Sequence, residues 1–385
     1  MAQNEKRLSV GLVFDDTLDS SDGVSQQVKR LGEYLTLHGH KVVYLCGETK
    51  LSDYAGGKVY SLSKNIKVRF NGNRLSMPIY SNRKHIKRVI TDEKLDVLHV
   101  MAPYSPLLAQ RIVAIGYRRG LAVVGSFHIL PSGWLSSMGA RILGLVQLFS
   151  LKKFQTFTAT SKSASEFAAK TMRIKSVVVP NMVDLSKLEP GRRAGNTPGR
   201  IVFLGRLVER KGLSKLIQAL PFVLKSHPDV ELVVAGDGPD RSKMENLAAE
   251  LGLKDKIKFL GYVEESDKAN VLGSAEIACF PALYGESFGV VLIEAMAAGA
   301  GVVLAGDNPG YRCVMEQRPR LLVDPTNTKE FADRLHLLIT DKKLADDLHV
   351  WQNEHVKQYD INVVGAQILD IYGQAIAKKT KSSDN

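Results

Sequence analysis

Along this 385-residue chain, short apolar runs alternate with helix-length amphipathic stretches, in two successive series. In the first, residues 8–14, 41–46, 97–101, 122–127, 156–159 and 176–179 read as strands, with a helix over 24–37 and helical stretches between the later ones. In the second, strands are expected at 201–204, 230–235, 256–260, 277–280, from 301 and at 321–323. Helices are expected there at 213–226, 241–251, 266–272, 288–298 and 329–340. Strands that are apolar throughout, rather than at every other residue, are buried on both faces, and strand–helix alternation implies parallel doubly wound sheets. The stretch 188–199, LEPGRRAGNTPG, is rich in Pro, Gly and Arg and reads as a linker. The expected fold is therefore α/β, with two Rossmann-like doubly wound parallel-sheet domains at 1–190 and 198–360. The length is enough for two cores. An amphipathic helix over about 363–377 and a charged tail follow. A full Gly-x-Gly-x-x-Gly is absent, so the Rossmann fingerprint itself is not met.

The stretch 276–305, EIACFPALYGESFGVVLIEAMAAGAGVVLA, carries the densest chemistry. Between its two strands lies a loop with Gly285, Glu286 and Ser287, then the helix of Phe288, Gly289, Val290 and Glu294. Ser287 is expected as the N-cap. The amides of the first turn, with the helix dipole behind them, then form an anion site, and Gly289 lets a ligand come close. Glu294 lies about two turns beyond Ser287, near the same face. A carboxylate before the helix, bare amides at its start and a second carboxylate along it suit sugar hydroxyls, a diphosphate and a ribose in turn. An ordinary crossover helix with water-facing glutamates is the other reading.

Strand 201–204 is followed by Gly205-Arg206 and then Lys211-Gly212. Ligands of doubly wound sheets sit beyond the carboxyl ends of strands, so Arg206 and Lys211 are candidates to hold a diphosphate and stabilise its growing charge. Two surface cations beside a turn is the alternative. Val263, and more weakly Asp237 and Gly238, occupy comparable turns. In the first half, Gly23 precedes a helix and can bring amides to a phosphate, whereas Asp22 beside it either points outward or repels one. His128 ends strand 122–127, where an imidazole can donate to a sugar hydroxyl or phosphate oxygen. A lone His is also a common structural hydrogen bonder.

No run of about 18 uncharged apolar residues occurs, so no transmembrane helix is expected. The apolar run ending at Phe14 is too short for a signal peptide. Cys46, Cys279 and Cys313 lack metal-ligand spacing and read as free thiols in a reducing, cytoplasmic compartment. The formal charge of +12 admits nucleic acid, an anionic membrane surface, acidic substrates or a basic surface without a specific partner. Arg83, Lys84, Lys87 and Arg88 share one helical face, away from Ile86, Val89 and Ile90. This is either a membrane anchor, at about 1 kcal/mol per cation near an anionic leaflet, or a half-buried helix with a solvated basic side.

Gly205-Arg206, Lys211-Gly212, Glu286, Phe288-Gly289 and Glu294 together resemble the signature of the family-4 retaining glycosyltransferases, which have the GT-B fold. The resemblance implies an active site in a cleft between the domains and transfer from a nucleoside-diphosphate sugar with retention. It implies that Glu286 holds donor-sugar hydroxyls, Glu294 the ribose, Arg206 and Lys211 the departing diphosphate, and that His128 orients the sugar. It puts Gly23, Gly205, Val263, Ser287, Phe288, Gly289 and Val290 around the donor. It implies no bound metal and no cofactor, so Asp15, Asp16 and Asp19 are not read as a metal site. It also implies that a return helix at 361–378 joins the first domain. Two glycines often stand in the family where this chain has Asp22-Gly23.

Within the family, the resemblance is closest to the bacterial phosphatidylinositol mannosyltransferases and extends over nearly the whole chain. It implies an acceptor region at Asn71 and Arg74 and a membrane-facing helix at Arg83, Lys84, Lys87 and Arg88. Tyr104 stands where those enzymes carry a polar acceptor contact of another residue type. The expectation is transfer of a hexose, mannose from GDP-mannose first, to a membrane lipid headgroup, phosphatidylinositol first. Such an enzyme is peripheral on the inner face of the cell membrane and takes no nucleic acid. The alternatives are a UDP-hexose-dependent diacylglycerol or polysaccharide-precursor glycosyltransferase, and a non-catalytic membrane or nucleic-acid binder on the same fold. Oligomeric state is not legible in these residues.

Overall fold

The computed structural model describes residues 7–20, 22–70, 73–103, 105–128 and 148–383. The chain divides into two compact units, one of Met1–Met182 with Ile361–Asn385 and one of Val183–Asp360.

The first unit is built on strands β1 (Ser9–Phe14), β2 (Lys41–Cys46), β3 (Asp53–Tyr54), β4 (Gly57–Ser61), β7 (Val97–Val100), β8 (Ala122–Phe127), β9 (Thr156–Ala159) and β10 (Val177–Val178). They form one sheet in the order β10-β9-β8-β7-β1-β2-β4-β3, parallel except for the β3–β4 pair. Both faces are covered, which is why the strands are apolar throughout rather than at alternate residues. On β2, Val43 and Leu45 enter one core while Val42, Tyr44 and Cys46 enter the other. That is the period of two expected of a pleated strand. Helix Ile361–Ser383 covers the second face with Val364, Ile368, Ile371, Tyr372 and Ala375, a spacing that lines one side of a helix. An antiparallel hairpin, β5 (Ser63–Phe70) with β6 (Asn73–Ser81), stands outside this sheet and has no counterpart in the sequence reading.

The second unit has β11 (Thr197–Leu204), β12 (Glu231–Ala235), β13 (Ile257–Gly261), β14 (Ala275–Phe280), β15 (Val302–Gly306) and β16 (Leu322–Val323). Their order is β13-β12-β11-β14-β15-β16, all parallel. The chain winds outward from β11 in one direction and from β14 in the other. Their carboxyl ends therefore border the topological switch point, where open α/β sheets bind ligands.

The linker expected at 188–199 is not one. Helix Leu185–Ala194 occupies most of it, and β11 already begins at Thr197. Asp184 caps this helix, accepting from the amides of Ser186 (3.0 Å) and Lys187 (3.3 Å). Gly191 is there for packing: a Cβ on it would stand 2.0 Å from the Ala269 carbonyl oxygen. The chain crosses between units at Met182–Val183, ahead of the boundary expected near residue 190.

Candidate active site

Most site candidates of the second unit gather at the carboxyl ends of β11 and β14, while Asp237 and Gly238 follow β12 and Val263 follows β13. After β11, Gly205 and Arg206 lead to a single 3-10 turn, Glu209–Lys211, closed by Gly212 at φ +72°. After β14, the chain runs through Pro281 to Gly285 and Glu286. The two loops are fastened together by the Leu283 amide, which donates to the Arg210 carbonyl at 2.8 Å. Gly212 permits this approach, since a Cβ there would lie 1.9 Å from the Pro281 carbonyl oxygen.

The loops place the Glu286 carboxylate between two cations. Oε1 accepts from Arg210 Nη1 at 2.7 Å and lies 2.9 Å from Lys211 Nζ. All three side chains are largely buried, at 12 to 19 % exposure. Burial by itself raises the Glu286 carboxyl, but the charges of Lys211 and Arg210 and their hydrogen bonds outweigh it and hold it below the usual range. Arg206 is half-buried on the same loop as Gly205, whose backbone is pressed against Gly236. Val263 is half-buried just beyond β13.

The helix that follows differs from expectation. It spans Val290–Ala297, and its N-cap is Gly289 at φ +104° with no side-chain cap, so Ser287 does not cap it. Gly289 takes a backbone conformation that L residues avoid. It also sits on the Tyr311 ring, which a Cβ would approach to 2.6 Å. Tertiary packing therefore explains this glycine without a ligand. Phe288 is core, 2 % exposed, with its ring edge-on to Tyr359, so its side chain does not line a donor site. With Ser287 outside the helix, the two-turn spacing to Glu294 does not set a shared face. Glu294 lies one turn into the helix, 5 % exposed and 3.4 Å from Lys268 Nζ. Lys268 also pairs with Glu265 at 2.6 Å. The Val290 and Val291 amides start the helix without intrahelical partners.

In the first unit, Asp22 is the N-cap of helix Gly23–Leu37, accepting from the Val24 (2.9 Å) and Ser25 (3.1 Å) amides. The amides that Gly23 was expected to offer a phosphate are thus already engaged by a carboxylate. His128 follows β8. Its Nε2 is shut off from solvent and has no hydrogen-bond partner among the described residues. It lines a cavity of about 30 Å³ with Gln27, Thr160 and Asn181. Burial pushes its imidazole down to about 4 against the opposing pull of an Asn181 hydrogen bond and the Asp22 charge, so the ring is neutral near pH 7. Asp15 and Asp19 serve the backbone: Asp15 accepts from the Ala109 amide at 2.7 Å and Asp19 from the Lys50 amide at 3.1 Å.

Among the acceptor and membrane candidates, Asn71 and Tyr104 lie outside the described residues, and Arg74 belongs to β6 with its side chain outside them. Arg83, Lys84, Lys87 and Arg88 are exposed on helix Arg83–Asp92, while Ile86, Val89 and Ile90 are buried. Sequence reasoning missed Arg210, Lys268 and Asn181. Arg210 stands beside Lys211 in a Glu-Arg-Lys run, and nothing in that run singles it out.

Two family models match adjoining stretches of the chain: Glycosyltransferase Family 4 over residues 21–187 and Glycosyl transferases group 1 over residues 188–350. A phosphatidyl-myo-inositol mannosyltransferase of Mycolicibacterium smegmatis is 32% identical, covering 95% of this chain and 93% of the relative. One from Propionibacterium freudenreichii is 28% identical, covering 95% and 94%. The fold is that of a Rickettsia africae glycosyltransferase (TM-score 0.77, 20% identity, 96% of this chain and 99% of that one). An Anabaena protein solved with UDP and glucose is also similar (TM-score 0.71, 16% identity, 95% and 100%). The architecture is GT-B, two parallel-sheet α/β units.

Proposed function

The chain belongs to the family-4 glycosyltransferases, and from that premise we propose that it transfers mannose from GDP-mannose to the headgroup of phosphatidylinositol. The observation that carries the reading is the Glu286 carboxylate held by Arg210 and Lys211 at the switch point of a doubly wound sheet. A fixed, ionised carboxylate there is an acceptor for donor-sugar hydroxyls. Arg206 and Lys211 are the cations for the diphosphate, which gains charge as the glycosidic bond breaks, and preorganised cations stabilise it most where charge develops. They supply that charge without a bound metal. Glu294 is the ribose acceptor. Neutral His128, at the carboxyl edge of β8, is a hydrogen-bonding partner for the sugar.

The acceptor assignment draws on the relatives named for phosphatidyl-myo-inositol. The exposed cations of helix Arg83–Asp92 fit an enzyme that works on the surface of an anionic membrane, at its inner, cytoplasmic face. No helix among the described residues is long and apolar enough to cross a membrane.

A calorimetric screen of GDP-mannose, UDP-glucose, UDP-galactose and UDP-N-acetylglucosamine tests the donor. The expected result is binding of GDP-mannose and mannosylation of phosphatidylinositol vesicles, with both transfer and acceptor-free donor hydrolysis lost in Glu286→Ala. Preference for a UDP-hexose overturns the donor assignment. Undiminished hydrolysis by Glu286→Ala removes Glu286 from the chemistry.

A further inference from the structure

Arg210 is given no contact with the donor in this reading, yet it lies nearer Glu286 Oε1 than Lys211 does. Its carbonyl is fixed by the Leu283 amide at 2.8 Å, and its guanidinium lies 2.7 Å from Glu286 Oε1. The same oxygen takes Lys211 at 2.9 Å. Oε2 accepts no hydrogen bond from the described residues. The backbone beneath is equally constrained, since a Cβ on Gly310 would stand 2.1 Å from the Glu286 carbonyl oxygen. Two cations thus grip one oxygen of a carboxylate whose main chain cannot retreat, and among the described residues no hydrogen bond holds the other.

We propose that Arg210 is a positioning residue: with Lys211 it holds Glu286 through Oε1 alone, so that Oε2 is presented to a hydroxyl of the donor sugar. The proposal rests on the reading that Glu286 binds the donor sugar. It divides the cations by task. Lys211 is shared between carboxylate and diphosphate, and when the phosphate draws on Lys211, Arg210 keeps the carboxylate in place. A guanidinium suits this work because its planar fork fixes direction as well as charge.

Among the described residues, the groups acting on Glu286 are Arg210 and Lys211 from the turn after β11 and the buried Tyr311 hydroxyl from helix Pro309–Met315. The two cations favour the ionised carboxylate, whereas burial opposes it. Removing one cation therefore raises the carboxyl, and activity that needs the carboxylate is lost at a higher pH on acidification.

The test is steady-state transfer from GDP-mannose to phosphatidylinositol vesicles across pH, comparing Arg210→Gln, Arg210→Lys and Glu286→Gln. For Arg210→Gln the expectation is a kcat lower by roughly 10- to 100-fold, the scale of a misplaced reacting group. Its donor KM stays within about threefold, because little ground-state binding is removed, and the acidic limb of kcat moves to higher pH. Arg210→Lys keeps the charge, so its acidic limb stays with the wild type and most of kcat returns. That variant carries the test by itself if Arg210→Gln does not fold: a displaced limb in Arg210→Lys counts against the proposal. A wild-type kcat and limb in Arg210→Gln, with Glu286→Gln inactive, overturns the positioning role and leaves the Glu286 reading standing. A large rise in donor KM with kcat and limb unchanged makes Arg210 a phosphate ligand and also overturns it. Wild-type kcat in Glu286→Gln removes the underlying reading, and the proposal with it.

Discussion

The imidazole of His99 and the phenol of Tyr372 meet at 2.7 Å between Nδ1 and the hydroxyl, 273 residues apart in the chain. The other ring nitrogen, Nε2, lies 2.6 Å from Ser126 Oγ, which in turn lies 2.5 Å from Thr158 Oγ1. This line of polar groups runs from the last helix into β7, β8 and β9, with every member buried. Tyr372→Phe keeps the ring and strands His99 Nδ1. Such a loss costs about 1–3 kcal/mol, to be read from urea unfolding. An unchanged midpoint would show that the bond contributes nothing.

Gly212 is predicted to be intolerant of any side chain. Its φ of +72° alone makes Gly212→Ala unfavourable by about 1–2 kcal/mol. The added Cβ would also meet the Pro281 carbonyl oxygen at 1.9 Å. The loop carrying Arg210 and Lys211 must then move off the loop carrying Glu286. The expected result is a lower melting temperature together with loss of transfer, and an active, wild-type-stable Gly212→Ala would contradict it.

Asp15 gives the first unit a pH dependence of defined sign. Burial raises its carboxyl to about 6, against hydrogen bonds from Ser105 and Ala109 that lower it, with the Asp16 charge adding to the rise. The folded state therefore binds this proton more tightly than the unfolded chain, whose value is 3.8. The stabilisation is fully present below that value and is lost as pH rises through about 6. The loss is on the order of 3 kcal/mol across that window. Asp15→Asn should flatten the dependence of the urea midpoint on pH between 4 and 7, and a profile identical to wild type would rule Asp15 out as its source.

The basic face of helix Arg83–Asp92 can be removed without touching the core, because Arg83, Lys84, Lys87 and Arg88 are exposed. Replacing all four by Ala should weaken co-sedimentation with anionic vesicles by up to about 4 kcal/mol. Binding to neutral vesicles and thermal stability should not change. Equal pelleting of variant and wild type would remove the anchor.

Most of the sheet architecture is legible in the sequence, because strands buried on both faces are apolar throughout: residues 41–46 and 122–127 have the same bounds in both readings. Arg206, Lys211, Glu286 and Glu294 stand out by their spacing, and the structure puts them in the loops after β11 and β14 and on the helix Val290–Ala297. What escapes is what tertiary contact decides. Glu286 and Arg210 are 76 residues apart, and the pairing of β11 with β14 and the Leu283 and Gly212 contacts bring them together. Glycines mislead for the same reason. Gly191 suggests a flexible joint and Gly289 a ligand approach, yet one lets two helices touch and the other turns the backbone over an aromatic ring. Asp22 reads as an outward or repelling charge, although its place before an amphipathic stretch is a common capping signal.

The long helix Ile361–Ser383 belongs to the core begun by β1, with all of 183–360 inserted between them. On the ribosome, the insert is complete and free to fold while the earlier core still lacks Val364, Ile368 and Tyr372 against Leu12, Tyr44 and Val124. The part of the protein synthesised first is thus finished last, and a nascent chain released early exposes an apolar sheet face that invites aggregation.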